Sequence, residues 1–339
     1  MRVKFTEETG KEFNPRVIGE LCKGEKPNCK LASGLLEITE HGRISLGAPV
    51  RIEPDDEETT TKEKPKEPAK PRPKARKVKT DFVETNNEIA LIVYAIDEGK
   101  NCLLSGPTGC GKSFAIEEVA KAEKRKLWTV NCDVELDKTE IVGHYEVVSD
   151  GDGNTETRWV RGILPMAMEN GDWIVLDEVN MARPEVMSVL HQALDHRRTL
   201  TIKEHGNEEI KAHKNFRVFA TMNPEYSGTA ELNYAFRRRF EVIVEMDYLS
   251  SAKEKSLIEK RTGLDAINST KCIGVAKDAR ALFKDGKVSY PVSTAHLLEF
   301  AAMLSKECFT PQECAKVTLN ISDNPDENQD VLNCVRSYF

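Results

Sequence analysis

Eight residues constrain this chain more than any others. Residues 106–113 read GPTGCGKS and match G-x-x-x-x-G-K-[ST]. They follow NCLLS (101–105), a short apolar stretch that reads as a buried strand, and they open KSFAIEEVAKAEK, which repeats at helical spacing. Strand, loop and helix in that order are the context the motif requires. The glycines let backbone N–H groups close on phosphate oxygens, and the helix that follows turns its positive end to the same place. Gly106, Pro107, Thr108, Gly109, Cys110, Gly111, Lys112, Ser113 and Phe114 form the candidate nucleotide-binding set. Lys112 is expected to reach the β- and γ-phosphates and Ser113 to hold Mg2+. Cys110, inside the loop, reads as a small tolerated side chain in preference to a redox switch.

Downstream, WIVLDE (173–178) is an apolar strand ending in two acids. Paired with the phosphate loop, Asp177 is expected to bind the Mg2+ shell and Glu178 to orient and polarise an attacking water. ATMNP (220–224) ends another apolar strand, and Asn223 there can contact the γ-phosphate or the water. A fourth stretch poses a question. AFRRRF (235–240) sets Arg237, Arg238 and Arg239 between Phe236 and Phe240. The aromatic residues ask for burial, and three guanidinium groups forbid it unless an anion is near.

Strand and helix patterns alternate from about residue 81 through IVLD, PEVMSVLHQALDH and FRVFATM. That alternation predicts an α/β fold with a mostly parallel sheet covered by helices, over 81–246. From 247 to 339 helical patterns dominate and predict a smaller α-helical segment. Residues 1–50 carry short alternating runs, RVKF, GLLEI and GRISL, and read as a small β-rich module. Residues 51–80 are rich in Pro, Glu and Lys and read as a flexible linker, acidic first and basic later. A length of 339 residues, 39% hydrophobic, suffices for one large or two modest cores. The net charge of −7 argues against non-specific nucleic-acid binding over the whole surface. No apolar run approaches a membrane span, and MRVKFTEETG has no signal-peptide pattern. Nine scattered cysteines without a C-x-x-C suit a reducing cytoplasm, the expected location. Cys22 and Cys29 read as ordinary thiols more readily than as metal ligands.

GPTGCGKS, WIVLDEVNMARPEVMSVLHQALDHRRTL, ATMNP and AFRRRF together resemble the AAA+ ATPases of the MoxR-like group. Within it the likeness is to the cobaltochelatase CobS-like and CbbQ/NirQ/NorQ/GvpN-like proteins. VNCDVELDKTEIVGHY (130–145) is similar to CobS in particular. The resemblance covers roughly 81–300. It implies a five-stranded parallel core with a helical lid, ATP hydrolysis with Mg2+, and a ring, usually of six subunits. It also implies a partner protein carrying a von Willebrand A domain. For AFRRRF it implies an arginine that serves the neighbouring subunit's ATP site, with Arg239 at the matching position and Arg237 and Arg238 next. The alternative is a local salt bridge to an acid such as Glu241. One feature departs from the family: PVSTAHLLEF puts Ala295 where a γ-phosphate-sensing arginine is expected, and His296 points elsewhere on a helix.

Two further stretches read as exposed hairpins, 143–162 and 199–213, the second turning at His205–Asn207. The resemblance places both on the ring face or pore. DGDGN within the first is not a calcium loop, because Thr155 and Arg161 stand where glycine and glutamate are needed. Two rival functions stay open: a nucleic-acid motor built on the same core, which no DNA-binding module in residues 1–50 supports, and an assembly scaffold that uses ATP only to form a ring. ATP is preferred over GTP, since ATMNPEYSG is not followed by a guanine-type N-x-x-D.

Overall fold

The computed structural model describes residues 36–38, 44–46, 76–149, 155–224 and 232–339. The expectations for Cys22 and Cys29, for most of the 1–50 module, for the linker as far as residue 75 and for the DGDGN tip lie outside these residues. The chain divides into two units, Met1–Pro71 and Arg72–Phe339. In the first, β1 (Leu36–Ile38) pairs antiparallel with β2 (Ile44–Leu46), within the predicted runs GLLEI and GRISL.

The second unit is built on β3 (Cys102–Ser105), β4 (Leu127–Asn131), β7 (Trp173–Asp177), β10 (Arg217–Met222) and β11 (Val242–Glu245). They form one five-stranded sheet in the order β11-β3-β10-β7-β4, every pair parallel. Its central strands are apolar on both sides because helices cover both faces. Cys102 and Leu104 join α1 (Glu88–Asp97) and α2 (Lys112–Ala122) in one buried cluster. Leu103 between them joins α4 (Ile163–Asn170) and α5 (Pro184–Ala193) in the other, with Ile141 and Val142 of the short α3 (Lys138–Val142). β7 divides in the same way, Trp173 and Val175 to the first cluster, Ile174 and Leu176 to the second. Each fully buried Leu or Ile in these layers contributes roughly 1.5–3 kcal/mol.

The stretch predicted as linker through residue 80 ends in contacts with this sheet layer. Arg76 bonds Asp97 at 2.9 Å and Glu123 at 2.6 Å, and Val78 packs against the α1–α2 cluster.

Two antiparallel hairpins leave the sheet where the sequence places them. β5 (Gly143–Ser149) pairs with β6 (Thr155–Arg161), and β8 (Thr199–Ile202) with β9 (Glu208–Lys211). Gly206 and Asn207 in the second turn take positive φ. The hairpins are tied to each other. Trp159 stacks on His205 with centroids 4.9 Å apart, and Arg161 bonds Glu208 at 2.5 Å as well as Glu169 at 2.8 Å. Arg161 thus pairs with one acid from the second hairpin and one from α4.

After the short α6 (Tyr234–Arg237) and β11, the chain is helical: α7 (Ser251–Thr262), α8 (Ala266–Lys284), α9 (Thr294–Leu304), α10 (Pro311–Thr318) and α11 (Pro325–Tyr338). They share a third buried cluster around Phe300, Leu297 and Val275. Side chains cap their starts: Asp265 accepts from Ile267 and Asn268, and Ser293 and His296 form a reciprocal box at α9.

Candidate nucleotide site

The parallel register gathers the motif residues at one end of the sheet. β10 lies between β3 and β7, with Met222 level with Ser105 and Ala220 level with Leu176. The loop after β3, the acids that end β7 and Asn223 just past β10 therefore emerge side by side, at the carboxyl ends of the strands.

The loop's glycines are there for space and backbone. A Cβ on Gly106 would lie 2.3 Å from the Met246 carbonyl oxygen. Gly109 and Gly111 hold φ of +71° and +94°, where a side chain strains the backbone. Lys112 opens α2 and folds back, donating from Nζ to the Gly106 and Pro107 carbonyls at 2.9 and 2.8 Å. Burial pushes its amine below the ordinary lysine value, against the pull of Cys110, Asp177 and Glu178. Burial also pushes the Cys110 thiol up, which makes it a poor nucleophile.

Ser113 Oγ donates to Asp177 Oδ1 at 2.9 Å, and the Thr221 hydroxyl donates to the same oxygen. Glu178 follows with φ 51°, a left-handed conformation uncommon for a non-glycine residue, and its N–H donates to Thr221 Oγ1 at 3.1 Å. Asn223 donates from Nδ2 to the Thr108 hydroxyl oxygen, and its carbonyl accepts from Asn180 Nδ2 at 3.3 Å. Thr221 stands inside ATMNP, but no sequence signal separates its hydroxyl from that of any other strand threonine.

Beside the loop is a cavity of about 430 Å³. Phe82, Phe114, Leu257 and Leu298 supply its apolar walls, and Asp81, Arg261 and Glu299 its charge. Ala295 lines it too, so this wall carries a methyl group where the resemblance expects a cation. Arg261 of α7 lies 6.0 Å from the Phe114 ring centroid. His296 is occupied with capping: its backbone N–H donates to Ser293 Oγ at 3.1 Å, and Nδ1 faces the Ser293 N–H at 3.4 Å. Neither Phe82 nor Arg261 was legible, since DF before a helix and an arginine ending one carry no motif.

The three arginines are not brought to this end. Phe236 and Phe240 are buried and meet edge to face at 5.6 Å, as the aromatic pattern predicts. Asn101 Nδ2 donates to the Arg239 carbonyl at 2.8 Å, and Val242 is level with Cys102. AFRRRF thus sits at the amino end of β3, whereas the phosphate loop leaves its carboxyl end, about 13 Å further at about 3.3 Å per residue. Arg239 has an anion at home: Nη1 pairs with Asp195 Oδ2 at 2.8 Å. The partner is not Glu241, which accepts from the Asn101 N–H at 3.0 Å instead. The Arg197 backbone N–H, then its side chain, His196 and Arg239 hold the Asp195 carboxyl below its usual range. Arg237 and Arg238 are exposed, and Arg238 lies over the Tyr234 ring at 5.7 Å. Among the described residues no carboxylate pairs with either.

Residues 101–240 match the family model described as AAA domain (dynein-related subfamily). An uncharacterized protein of Staphylococcus saprophyticus is 31% identical over 241 residues, which cover 71% of this chain and 91% of that one. This chain belongs to the AAA family. An uncharacterized Staphylococcus aureus protein is likewise 31% identical over 244 residues, 72% of this chain and 92% of its own length. Among solved structures, a putative ATPase from Cytophaga hutchinsonii covers 74% of this chain and 88% of its own, with 18% identity and a TM-score of 0.39. The matched AAA domain begins at Asn101 and closes on Phe240, so it includes both the phosphate loop and the arginines. Among the described residues of this AAA protein, no helix is long and apolar enough to cross a membrane.

Proposed function

We propose that this AAA protein is a ring-forming ATPase, with six subunits the expected number, that couples hydrolysis of ATP to remodelling or activation of a partner protein. The MoxR-like, CobS-like resemblance supports a partner with a von Willebrand A domain and, in that setting, a role in metal insertion. The observation that carries the reading is the distance between the two halves of the chemistry. Lys112, Ser113, Asp177, Glu178 and Asn223 converge at one end of the sheet. Arg239 is anchored at the other, beyond the reach of its own phosphate loop.

The donor set fits ATP with Mg2+. Three glycines leave a cradle that a Cβ would fill, and Ser113 and Asp177 offer hard oxygens 2.9 Å apart, the type Mg2+ takes. Ser113 and Asp177 would hold the ion, which would offset the negative charge of the phosphates. Lys112 exchanges two loop carbonyls for the phosphates, a stronger, charge-assisted contact. The Glu178 carboxylate orients the attacking water and takes its proton. Asn223 turns its amide from Thr108 to the γ-phosphate or the water. An arginine of the next subunit, Arg239 first and then Arg238 or Arg237, meets the charge that develops as the bond breaks. Releasing Arg239 leaves Asp195 still bonded to Arg197 and His196, which keeps the exchange inexpensive.

Mixing subunits tests this reading. Lys112→Ala copies lack the phosphate contact but carry the arginines, and Arg239→Ala copies have the reverse defect. Each is expected to be inactive alone, and a mixture to regain part of the ATPase rate at mixed interfaces. A mixture that assembles and stays inactive refutes a role between subunits for Arg239.

A further inference from the structure

The phosphate loop is fastened to the helices that follow the sheet by a side chain outside every motif. Tyr248 lies just past β11, and its hydroxyl donates to the Thr108 carbonyl at 2.9 Å. Arg280 of α8 lies against its ring, Cζ 4.1 Å from the centroid. Arg280 is itself fixed. It donates to both oxygens of Glu254 on α7, at 3.0 and 2.7 Å, and from Nε to the Val292 carbonyl at 2.8 Å. Glu254 is 1% exposed and takes a third bond, 2.6 Å, from the Thr294 hydroxyl at the start of α9. Beside it, Ser293 approaches the loop so closely that a Cβ on Gly109 would lie 2.4 Å from its own Cβ. Three helices are joined through the Arg280–Glu254 pair, the cation rests on one ring, and the ring's hydroxyl holds one peptide of the loop.

That peptide has two ends. A trans peptide is planar, so the Thr108 carbonyl and the Gly109 N–H point in opposite directions. Holding the carbonyl toward Tyr248 turns the Gly109 N–H away from it, and the N–H groups of such a loop are what close on phosphate. Thr108 also accepts from Asn223 through its hydroxyl. One residue of the loop is thus gripped from the sheet and from the helices together.

We propose that Tyr248 is a positioning residue for the nucleotide's phosphates, fixing the Thr108–Gly109 peptide and linking it through Arg280 and Glu254 to helices α7, α8 and α9. It rests on the ATPase reading above and gives the helices a contact with the loop that does not need a cation at Ala295. Ligand binding that turns or releases this peptide acts on the helices through the Tyr248 hydroxyl, and movement of the helices acts back on phosphate affinity by the same factor.

Tyr248→Phe removes the hydroxyl and keeps the ring against Arg280. In the full chain its ADP dissociation constant, read by calorimetry, is expected to rise about 3–10-fold, the worth of one hydrogen bond. Affinity for pyrophosphate falls by a similar factor, because the peptide concerned faces phosphate and not the base. In ATP hydrolysis KM rises more than kcat falls. Thermal unfolding without nucleotide shifts little, while the stabilisation given by a fixed ADP concentration shrinks. ADP and pyrophosphate affinities equal to those of the unsubstituted protein overturn the proposal. If the unsubstituted protein binds ADP but does not hydrolyse ATP, the ATPase reading fails and the affinities still decide on Tyr248. If it binds neither nucleotide nor pyrophosphate, both fall.

Discussion

Glu178 holds a left-handed backbone conformation that costs a residue with a side chain about 1 kcal/mol or more, and Thr221 ties down its N–H. Strain of this kind persists where the surroundings fix it, and it sets the carboxylate beside Asp177. Glu178→Gln keeps the backbone and removes the proposed base, so the variant is expected to bind ATP normally and hydrolyse it at least 100-fold more slowly, within the usual span for a general base. A native rate in a steady-state phosphate-release assay would assign the base elsewhere. Lys112→Ala removes the phosphate's charge partner instead, and calorimetry is expected to record no nucleotide binding. That these residues gather at one end of the sheet was legible, because a phosphate loop and its acids recur in fixed types and spacing. Asp195 as partner of Arg239 was not, since 44 residues separate them (239 less 195) and an acid at the end of a helix has many possible neighbours. Tyr248 was equally silent, its role depending on a backbone carbonyl 140 residues away.

Among the elements, α9 shows how a cap responds to pH. Its box needs a neutral ring at His296, because Nδ1 faces the Ser293 N–H. Burial holds the imidazole below its ordinary value. The unfolded chain therefore takes up a proton that the folded chain resists, and stability falls as pH drops through about 6.5 and below, levelling off under the folded value. His191 on α5 is depressed by burial and by Arg239 and adds in the same direction. Glutamine at the third helical position keeps the acceptor without titrating. His296→Gln is thus expected to lose part of the acid sensitivity in urea midpoints measured from pH 7.5 to 5.5, while differing little at pH 7.5. An unchanged acid slope would place the effect elsewhere. Both helices were legible from periodicity and the phosphate loop from its glycines. The tie between the two hairpins was not, because Trp159 and His205 stack across 46 residues with no local signal (205 less 159).

For the whole molecule, the five parallel strands followed from strand–helix alternation, but their order did not. β10 lies between β3 and β7, and its pairing with β3 spans more than a hundred residues, which local periodicity cannot specify. The start of the second unit also differs from the composition boundary near residue 80. A chain beginning at residue 72 keeps the Arg76 ion pairs and the packing of Val78, and one beginning at residue 81 loses them. Exposed ion pairs contribute about 1 kcal/mol at most, so the shorter chain is expected to fold and melt a few degrees lower. Equal calorimetric midpoints would show that residues 72–80 add nothing to stability. The opposed ends of the sheet have one more consequence. If hydrolysis uses the proposed contact between a phosphate loop and a neighbour's AFRRRF, that contact joins unlike surfaces, and copies so joined line up head to tail. An open row always ends in one subunit whose loop has no arginine facing it and another whose arginines face nothing. Only closure mates those last two surfaces. Catalytic rate per subunit should therefore rise with protein concentration and step upward as rows close, making turnover a direct count of completed junctions.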